Sequence, residues 1–257
     1  MKKTIAFIPA RGGSKSIKGK NIKSFFGKPL IHWNIIELLG IDAIDEIIIA
    51  TDSEEIARVA AISEKVKIYK RSAENAKDGS STESVMLEYI ERQKLDENVR
   101  FILVQATSPF TMRKDFEEGI ALYESKEIDS FLAVVPFKRL VWSEEKKPLT
   151  FELDKRQRRQ DFDTYYLENG AFYINSVKNI VENKSRISGK FGFHVMPEYT
   201  ALEMDEPLDW EFCEIQIKQL IENKKFIEHY SMLADLCSLI LSTCQITIFR
   251  TTIIQVG

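Results

Sequence analysis

A short basic segment at 11–21, with the sequence RGGSKSIKGKN, directly follows the apolar run Thr4–Pro9. Its adjacent glycines, Gly12 and Gly13, allow several backbone N–H groups to converge on an anion. Lysine supplies a point charge for phosphate oxygens, and arginine binds them through two parallel hydrogen bonds. We assign these roles to Arg11, Lys15 and Lys20. The segment is therefore predicted to be an anion-binding loop, with a solvated basic loop as the alternative.

The segment matches neither of two common phosphate-binding motifs. The Walker A pattern GxxxxGK[ST] fails because Ser14 stands where its first glycine is required and Asn21 where it requires serine or threonine. The dinucleotide pattern GxGxxG fails because its first two glycines are adjacent here. A different kind of basic loop is therefore expected after the first strand.

Composition limits the classes of protein to consider. The 257 residues include 36 Lys and Arg and 39 Asp and Glu, which gives a net charge of −3. Proteins that coat nucleic acid are usually basic, so no nucleic-acid partner is expected. Three cysteines are too few for a disulfide framework and indicate a reducing, cytoplasmic location. The first apolar run is too short for a signal peptide and is predicted to be a buried strand.

Short apolar runs alternate with amphipathic stretches along most of the chain. Continuous runs such as DEIIIAT and RFILVQAT are typical of strands that are covered on both faces. The predicted strands are Thr4–Pro9, Glu46–Thr51, Val66–Tyr69, Phe101–Gln105 and Ser130–Pro136, followed later by NGAFYIN and FGFHVM. The predicted helices are Pro29–Leu39, Ser53–Ser63, Ser81–Lys94, Arg113–Ser125 and Pro207–Glu222. This order predicts an α/β fold with a mainly parallel sheet, whose ligands bind at the carboxyl ends of the strands.

Two regions depart from this alternation. Residues 138–168 are charged and carry aromatic side chains without helical periodicity, so we predict an inserted hairpin arm. The tail at 230–257 is apolar and rich in threonine, but its uncharged stretch 236–249 has only 14 residues. Because that is short for a membrane span, no membrane partner is expected. The sequence does not decide the structure of the tail. The alternatives are an added pair of strands, a helix followed by a strand, and a peripheral or aggregation-prone end.

The motifs resemble, in order, those of the acylneuraminate cytidylyltransferases, or CMP-sialic acid synthetases. The resemblance begins with IPARGGSKSIKGKNI and continues through ATDSEEIA, KRSAENAKDGSST, QATSP, KRQRRQDFDTYYLENGAFY and DEPLDW. It implies a three-layer Rossmann-like nucleotidyltransferase fold for residues 1–229, and it excludes the tail. It also implies a homodimer in which the arm contacts the partner, with a self-packed flap as the alternative. The expected anchors of that arm are Trp142, Phe151 and Phe162.

The resemblance implies that CTP and a sialic acid, or a closely related α-keto acid sugar, form a CMP-sugar and pyrophosphate. Such a transfer depends mainly on neutralising the charge of the polyphosphate. The implied catalytic residues are Arg11, Lys20 and Asp205. The implied nucleotide-binding residues are Arg11, Gly12, Gly13, Ser14, Lys15, Lys20, Asn21, Arg71, Ser81 and Thr82. For Ser81 and Thr82, capping of the following helix is an equally good explanation.

A second set of residues is implied to bind the sugar. It comprises Gln105, Arg156, Arg159, Gln160, Asn169 and Gly170. The arginines of KRQRRQD suit the sugar carboxylate, whereas a nuclear-targeting or nucleic-acid patch is the alternative for this run. Gln105 has the further alternative of a polar residue that ends a strand without any role.

The family's aspartate-x-aspartate pair, which holds Mg²⁺, falls on Glu203 and Asp205. Alternate residues of an extended segment point to the same side, so both carboxylates are placed to meet one hard cation. Glu203 departs from the family pattern by one methylene. Asp52 is expected to cap the next helix, and His32, His194 and His229 are expected to be structural or on the surface.

Other functions stay open at this point. Within the class, the sugar could be deaminated neuraminic, legionaminic or pseudaminic acid, or an eight-carbon keto sugar. From other classes, the chain could be a catalytically silent nucleotide-binding regulator, or an RNA-binding protein that its acidic balance disfavours. The sequence specifies neither the preferred sugar nor the group that removes the sugar proton.

Overall fold

The structure, a computed structural model, describes residues 2–77, 79–125, 127–156, 158–161 and 165–222. Its strands are β1 (Thr4–Pro9), β2 (Ser24–Phe25), β3 (Lys28–Pro29), β4 (Glu46–Thr51), β5 (Val66–Lys70), β6 (Arg100–Val104), β7 (Ser130–Phe137), β8 (Tyr165–Ser176) and β9 (Phe191–Val195). Its helices are α1 (Leu30–Leu39), α2 (Glu54–Ala60), α3 (Thr82–Gln93), α4 (Arg113–Ser125), α5 (Val177–Asn183) and α6 (Pro207–Glu222).

Seven of these strands form the central sheet in the order β5-β4-β1-β6-β8-β7-β9, while β2 and β3 form a separate small hairpin. Strand β1 runs parallel to both β4 and β6, and β4 runs parallel to β5. Strand β8 is antiparallel to both of its neighbours, and β9 is parallel to β7. The predicted mainly parallel α/β sheet is therefore confirmed, with β8 as the one reversed strand among these seven.

The sheet is covered on both faces, which explains the continuous apolar runs. In β1, Ala6 and Ile8 belong to one core, whereas Ile5 and Phe7 belong to the other. Helices α1, α2 and α4 contribute to the first core, and α3 and α5 contribute to the second. Each fully buried aliphatic or aromatic side chain contributes about 1.5–3 kcal/mol, so a strand with no polar face is stable only between two such layers.

Most predicted elements lie where the sequence placed them. The bounds of β1, β4, α4 and α6 agree with the predictions, whereas α2 ends at Ala60 rather than Ser63. Helix α5 and the β2–β3 hairpin were not predicted, because both are too short to show a clear period. The turn of that hairpin places Phe26 and Gly27 at positive φ, 45° and 86°.

The predicted arm connects two paired strands of the central sheet, β7 and β8. Strands β7 and β8 stay paired as far as Phe137 and Tyr165, and the chain between them forms the arm. Because β8 begins at Tyr165, the predicted insertion at 138–168 extends four residues too far, 165–168. Within the arm, Trp142 packs edge-on against Phe151 with ring centroids 5.1 Å apart. The third predicted anchor, Phe162, lies outside the described residues.

Contacts divide the chain into two units, Met1–Cys213 and Glu214–Gly257. The first unit contains every strand named above. Of the second unit, the structure describes residues 214–222, which are the last part of α6. The predicted division at 229/230 and the tail at 230–257 lie outside the described residues. None of the described helices is both long enough and apolar enough to pass through a bilayer.

Candidate functional site

A cleft of about 280 Å³ opens at the carboxyl edge of the sheet, beside the ends of β1, β5 and β6. It brings together eight of the predicted site residues, namely Arg11, Ser14, Lys20, Asn21, Arg71, Ser81, Thr82 and Gln105. A larger depression of about 480 Å³ lies at the opposite edge, around Lys2, Lys3 and Asn98, and no predicted site residue lines it. The predicted chemistry is therefore concentrated in the smaller cleft.

The basic loop after β1 is held by side chains from its surroundings. The backbone N–H of Gly12 donates to Asp52 Oδ1 at 2.8 Å, and Asn21 Nδ2 donates to the carbonyl oxygen of Arg11 at 3.0 Å. A Cβ at Gly12 would lie 2.9 Å from Ser53 Cβ, so only glycine fits this close approach. The loop is thus fixed in shape, while Arg11 and Lys20 line the cleft.

The expectation that Asp52 caps the following helix is wrong. The cap of α2 is Ser53, whose hydroxyl accepts a hydrogen bond from the N–H of Ile56 at 3.3 Å. Either residue type is a good N-cap, and the backbone path decided between them. Asp52 is consequently available to hold the glycine loop through Gly12.

The opposite wall of the cleft comes from the segment that joins β5 to α3. Arg71 Nε donates to the carbonyl oxygen of Ala50 at 2.8 Å, which fixes the direction of its guanidinium. Ser81 is the N-cap of α3, because its hydroxyl accepts from the N–H of Ser84 at 3.1 Å. The capping explanation is thus confirmed for Ser81, which also lines the cleft, while Thr82 is the first residue of the helix.

Gln105 is positioned through its backbone. Its N–H donates to the carbonyl oxygen of Ala171 in β8 at 3.2 Å, and its own carbonyl oxygen accepts from Asn34 Nδ2 at 3.2 Å. Asn34 is fully buried in α1. With the backbone held from two sides, the Gln105 side chain is left to line the cleft.

The acidic segment at 203–206 returns to the same edge of the sheet. The N–H of Met204 donates to the carbonyl oxygen of Thr107 at 3.0 Å, which places its neighbours beside the cleft. Lys20 Nζ donates to Asp205 Oδ1 at 2.9 Å, and Ser16 Oγ donates to Glu206 Oε1 at 3.0 Å. The basic loop and the acidic segment are therefore in direct contact.

Glu203 lies in an acidic environment. Burial is the main cause that raises its pKa, and the Asp205 carboxylate adds to the effect, so that the pKa reaches about 7. More distant carboxylates, those of Glu168 and Asp209, act in the same direction, whereas Lys20 opposes them. Across the described ranges, no group of three or more His, Cys, Asp or Glu side chains is arranged to hold a metal ion.

Asn169 and Gly170, which are predicted to bind the sugar, lie in β8 beside the acidic segment. Asn169 is fully buried, and its amide nitrogen donates to Thr200 Oγ1 at 3.0 Å. Gly170 has a φ of +65°, and a Cβ there would lie 2.5 Å from Glu203 Oε2. The backbone conformation therefore favours glycine, and a Cβ at this position would make the Glu203 carboxylate move.

Of the predicted sugar-binding residues of the arm, Arg156 and Gln160 are not brought to the cleft. Arg156 and Gln160 are exposed, and Arg156 lies over the Phe151 ring at 5.8 Å. The neighbouring Arg158 pairs with Asp161 at 3.0 Å. The backbone of Arg159 belongs to a single 3₁₀ turn, Arg159–Asp161, and its side chain lies outside what the structure describes. The contacts of Arg156 and Arg158 thus stay within the arm.

Other predicted residues make up the remainder of the basic loop. Gly12, Gly13 and Lys15 belong to it but do not line the cleft, and Gly13 faces open space.

Of the histidines, His32 contacts the carbonyl oxygen of Val59 at 2.7 Å, and His194 contacts Asp115 at 3.2 Å. His229 lies outside the described residues.

Sequence reasoning missed several residues of the cleft. Its lining also includes Pro9, Lys77, Ser80, Val85, Ala106 and Thr107. Two of these are direct neighbours of a predicted site residue, so adjacency along the chain was a usable signal for them: Ser80 precedes Ser81, and Ala106 follows Gln105. Lys77 gave no such signal, because its position depends on how the segment before α3 folds.

A mainly parallel α/β sheet with a basic cleft at its carboxyl edge defines the architecture of Rossmann-like nucleotidyltransferases. The chain belongs to the cytidylyltransferase family, whose family model matches residues 5–250. The structure resembles that of CMP:2-keto-3-deoxy-manno-octonic acid synthetase complexed with CTP, with a TM-score of 0.63 and 17% identity. That similarity covers 84% of this chain and 99% of the other, and it bears on the fold.

Two curated relatives show the range of the family. An N-acylneuraminate cytidylyltransferase A of Danio rerio is 35% identical over 82% of this chain and 50% of its own length. A CMP-N,N'-diacetyllegionaminic acid synthase of Legionella pneumophila is 31% identical over 82% of this chain and 94% of its own length. The chain thus spans about half the length of the Danio rerio relative and nearly all of the Legionella one.

Proposed function

We propose that this protein transfers the cytidylyl group of CTP to an N-acylneuraminate or a closely related nonulosonate, with release of pyrophosphate. The observation that carries the proposal is the cleft itself, where Arg11, Lys20, Arg71 and Lys77 surround one space at the carboxyl edge of the sheet. Four cations around a small cleft suit a nucleoside triphosphate. Family membership and the names of both curated relatives support the choice of CTP and of a nonulosonate.

In the proposed reaction, the anomeric hydroxyl of the sugar attacks the α-phosphorus of CTP. The new oxygen–phosphorus bond forms as the bond to the bridging oxygen breaks, the hydroxyl loses its proton, and pyrophosphate leaves with the electron pair. Negative charge builds up on the leaving group, so the role of Arg11 and Lys20 is to offset that charge. Ser14, which lines the cleft, would help to hold the phosphates in line, while Gly12, whose N–H donates to Asp52, would keep the loop in shape.

We further propose that Glu203 and Asp205 hold Mg²⁺ together with the triphosphate. The donor set fits a hard cation, because both residues offer carboxylate oxygens, the ligands that Mg²⁺ prefers. A cation between them would also relieve the repulsion by the Asp205 carboxylate, which together with burial raises the pKa of Glu203. Mg²⁺ is commonly held by one or two carboxylates with phosphate oxygens and water, so two protein ligands suffice. When bound, it would supply charge neutralisation at the phosphates.

The sugar site is proposed to form at the arm of a homodimer. Exposed apolar side chains line the arm and the adjoining edge of the sheet, among them Trp142, Tyr166 and Phe193 at 47%, 46% and 37% exposure. Exposed large apolar side chains of this kind favour association. A second chain placed there would explain why the arm residues Arg156 and Gln160 make no contact with the cleft of their own chain. The cytoplasmic location inferred from the cysteine content stays a prediction.

One assay tests the proposed activity. The protein is incubated with CTP, Mg²⁺ and a panel of sugars, namely N-acetylneuraminic, deaminated neuraminic, legionaminic, pseudaminic and eight-carbon keto acids, and pyrophosphate is measured. Release with a nonulosonate is the expected result, and the sugar that supports it identifies the substrate. CTP binding without release from any sugar would contradict the proposal and favour a silent nucleotide-binding regulator.

A further inference from the structure

A buried carboxylate lies behind the wall of the cleft and belongs to no part of the proposed chemistry. Glu88 of α3 has a side chain that is 10% exposed. Its Oε1 accepts from the Tyr69 hydroxyl at 2.5 Å and from the Ser72 N–H at 3.0 Å. Its Oε2 accepts from Asn75 Nδ2 at 2.6 Å and from the Ser72 hydroxyl. Four donors from outside the helix thus meet on one carboxylate.

Three of those four donors belong to one segment, which we call the wall loop: residues 71–81, of which Asp78 lies outside the described residues. Four of its described side chains line the cleft, namely Arg71, Lys77, Ser80 and Ser81. The described part of the wall loop has no regular helix or strand to hold it. Turn-type backbone hydrogen bonds, such as that from the Ser80 N–H to the carbonyl oxygen of Lys77 at 3.1 Å, shape it locally. Its attachment to α3 depends on side-chain hydrogen bonds.

Further contacts extend this attachment. Asn75 Nδ2 also donates to the carbonyl oxygen of Ser84 at 3.2 Å, and the Ser84 hydroxyl donates to Asn75 Oδ1 at 2.7 Å. The Ser80 hydroxyl donates back to the carbonyl oxygen of Glu74 at 2.9 Å. The second half of the wall loop is thereby bonded to its own backbone at Glu74, and Ser72 and Asn75 bond it to Glu88.

We propose that Glu88 is a positioning residue for nucleotide binding, which holds the wall loop in the conformation that presents Lys77 and Ser80 to the nucleotide. Arg71 and Ser81, at the two ends of the loop, are also held by their own contacts with Ala50 and Ser84. This inference rests on the proposed function, because it names CTP as the ligand whose binding depends on the loop. Glu88 itself does not line the cleft, so it acts through the loop alone.

A carboxylate is required at this position because it only accepts hydrogen bonds. A glutamine has nearly the same volume, but its NH₂ group would face an N–H donor in either orientation, the Ser72 N–H or the Asn75 NH₂, although the hydroxyls of Tyr69 and Ser72 can turn to accept. Burial by itself would raise the pKa of Glu88, but the hydrogen bonds from Ser72, Tyr69 and Asn75 outweigh burial and lower it to about 2. The side chain therefore stays an acceptor at neutral pH.

The test compares Glu88→Gln with Glu91→Gln, a matched change on the exposed side of the same helix. CTP affinity is measured by calorimetric titration, and the KM for CTP, the KM for the sugar and kcat are measured separately. We expect Glu88→Gln to raise the Kd and KM for CTP at least about fivefold, because a lost hydrogen bond of about 1 kcal/mol corresponds to that factor. The KM for the sugar should change less than about twofold, and Glu91→Gln should match the parent protein.

Hydrogen exchange separates positioning from general stability. Peptides that cover residues 71–81 should exchange faster in Glu88→Gln, while those of β1 and β6 should not. A folded Glu88→Gln variant with unchanged CTP affinity overturns the inference, and so does a fall in kcat with both KM values unchanged, which indicates only a smaller folded fraction.

A second variant covers the case in which Glu88→Gln does not fold. Asn75→Ala removes one donor from the wall loop and leaves α3 intact, so it should weaken CTP binding in the same selective way; unchanged binding would overturn the inference. The proposed function fails by a different result, absence of pyrophosphate release by the parent protein with every sugar. CTP titration and hydrogen exchange would still decide the role of Glu88 in that case.

Discussion

Lys20 Nζ lies 2.9 Å from Asp205 Oδ1, although 185 positions separate the two residues in the chain. Lys20 belongs to the basic loop and Asp205 to the proposed metal pair, so one ion pair joins the two halves of the site. The Asp205 side chain is 63% exposed, and ion pairs of this kind are worth roughly 0–1 kcal/mol. A nucleotide phosphate and a cation can therefore replace it at little cost.

The first prediction concerns Asp205. Asp205→Ala should lower turnover at least about tenfold, since it removes a proposed ligand of the cation that offsets phosphate charge. Because the Asp205 side of the ion pair is exposed, although the Lys20 side chain is only 14% exposed, the free energy of unfolding should fall by about 1 kcal/mol. Pyrophosphate release and urea unfolding measure the two effects. Glu97→Ala, an exposed acidic residue at the opposite edge of the sheet, is the control and should be unchanged.

The second prediction concerns the basic loop. Arg11→Ala should lower turnover at least about tenfold, because it removes a charge contact to the triphosphate. Lys18→Ala removes an exposed cation of the same loop that does not line the cleft, and it should retain near-normal turnover. Steady-state kinetics with saturating sugar provide the comparison. Equal effects of both changes would show that the loop acts only through its total charge.

The third prediction concerns Gly170. Gly170→Ala should lower stability by roughly 1–3 kcal/mol, because alanine is strained at a φ of +65°, and its Cβ would also displace the Glu203 carboxylate, whose Oε2 lies 2.5 Å away. Thermal unfolding measures this effect. The matched change Gly79→Ala meets no atom within 4 Å, so its melting temperature should stay within a degree or two of the parent. A Gly170→Ala variant as stable as Gly79→Ala would contradict the geometry.

The fourth prediction is a pH dependence that arises from Glu88. Its pKa is lowered to about 2 in the folded state, so its contribution is present above the unfolded value near 4.5 and is lost as the pH falls through 2. Other charges near this carboxylate are those of Arg92 and Arg71, and both stay protonated throughout this range.

The difference in unfolding free energy between the parent protein and Glu88→Gln measures this contribution. It should reach up to roughly 3 kcal/mol at pH 7 and shrink steadily between pH 4.5 and pH 2. Denaturant titrations at a series of pH values provide the data. A difference that is the same at pH 7 and at pH 2.5 would show that the carboxylate is not held in its ionised form by these donors.

The fifth prediction concerns the proposed homodimer. Trp142→Glu places a charge on the exposed arm and should shift the mass in solution from that of two chains to that of one. Light scattering after size-exclusion chromatography measures the mass. Val181→Glu, at an exposed position of α5 with the same 47% exposure, should leave the mass unchanged. A single-chain mass for the parent protein would contradict the dimer.

Local patterns were sufficient for most of the secondary structure. The runs TIAFIP and EIIIAT predicted β1 and β4 with correct bounds, because strands buried on both faces have no polar interruption. The same patterns could not assign Asp52, since Asp52 and Ser53 are both good N-cap residues and the backbone path decided between them. Glu88 was not identified at all, because its partners Tyr69, Ser72 and Asn75 converge on it only when the wall loop folds.

The sequence by itself determined the α/β class, the basic loop and the motif order that points to the family, because these depend on residue type and short spacing. Only the tertiary structure decided which side chains meet: Lys20 with Asp205, Gly170 with Glu203, and Gly12 with Asp52. Each of these pairs joins residues more than 30 positions apart. Such contacts arise from the packing of strands and loops around two cores, which the local periodicity of the chain does not encode.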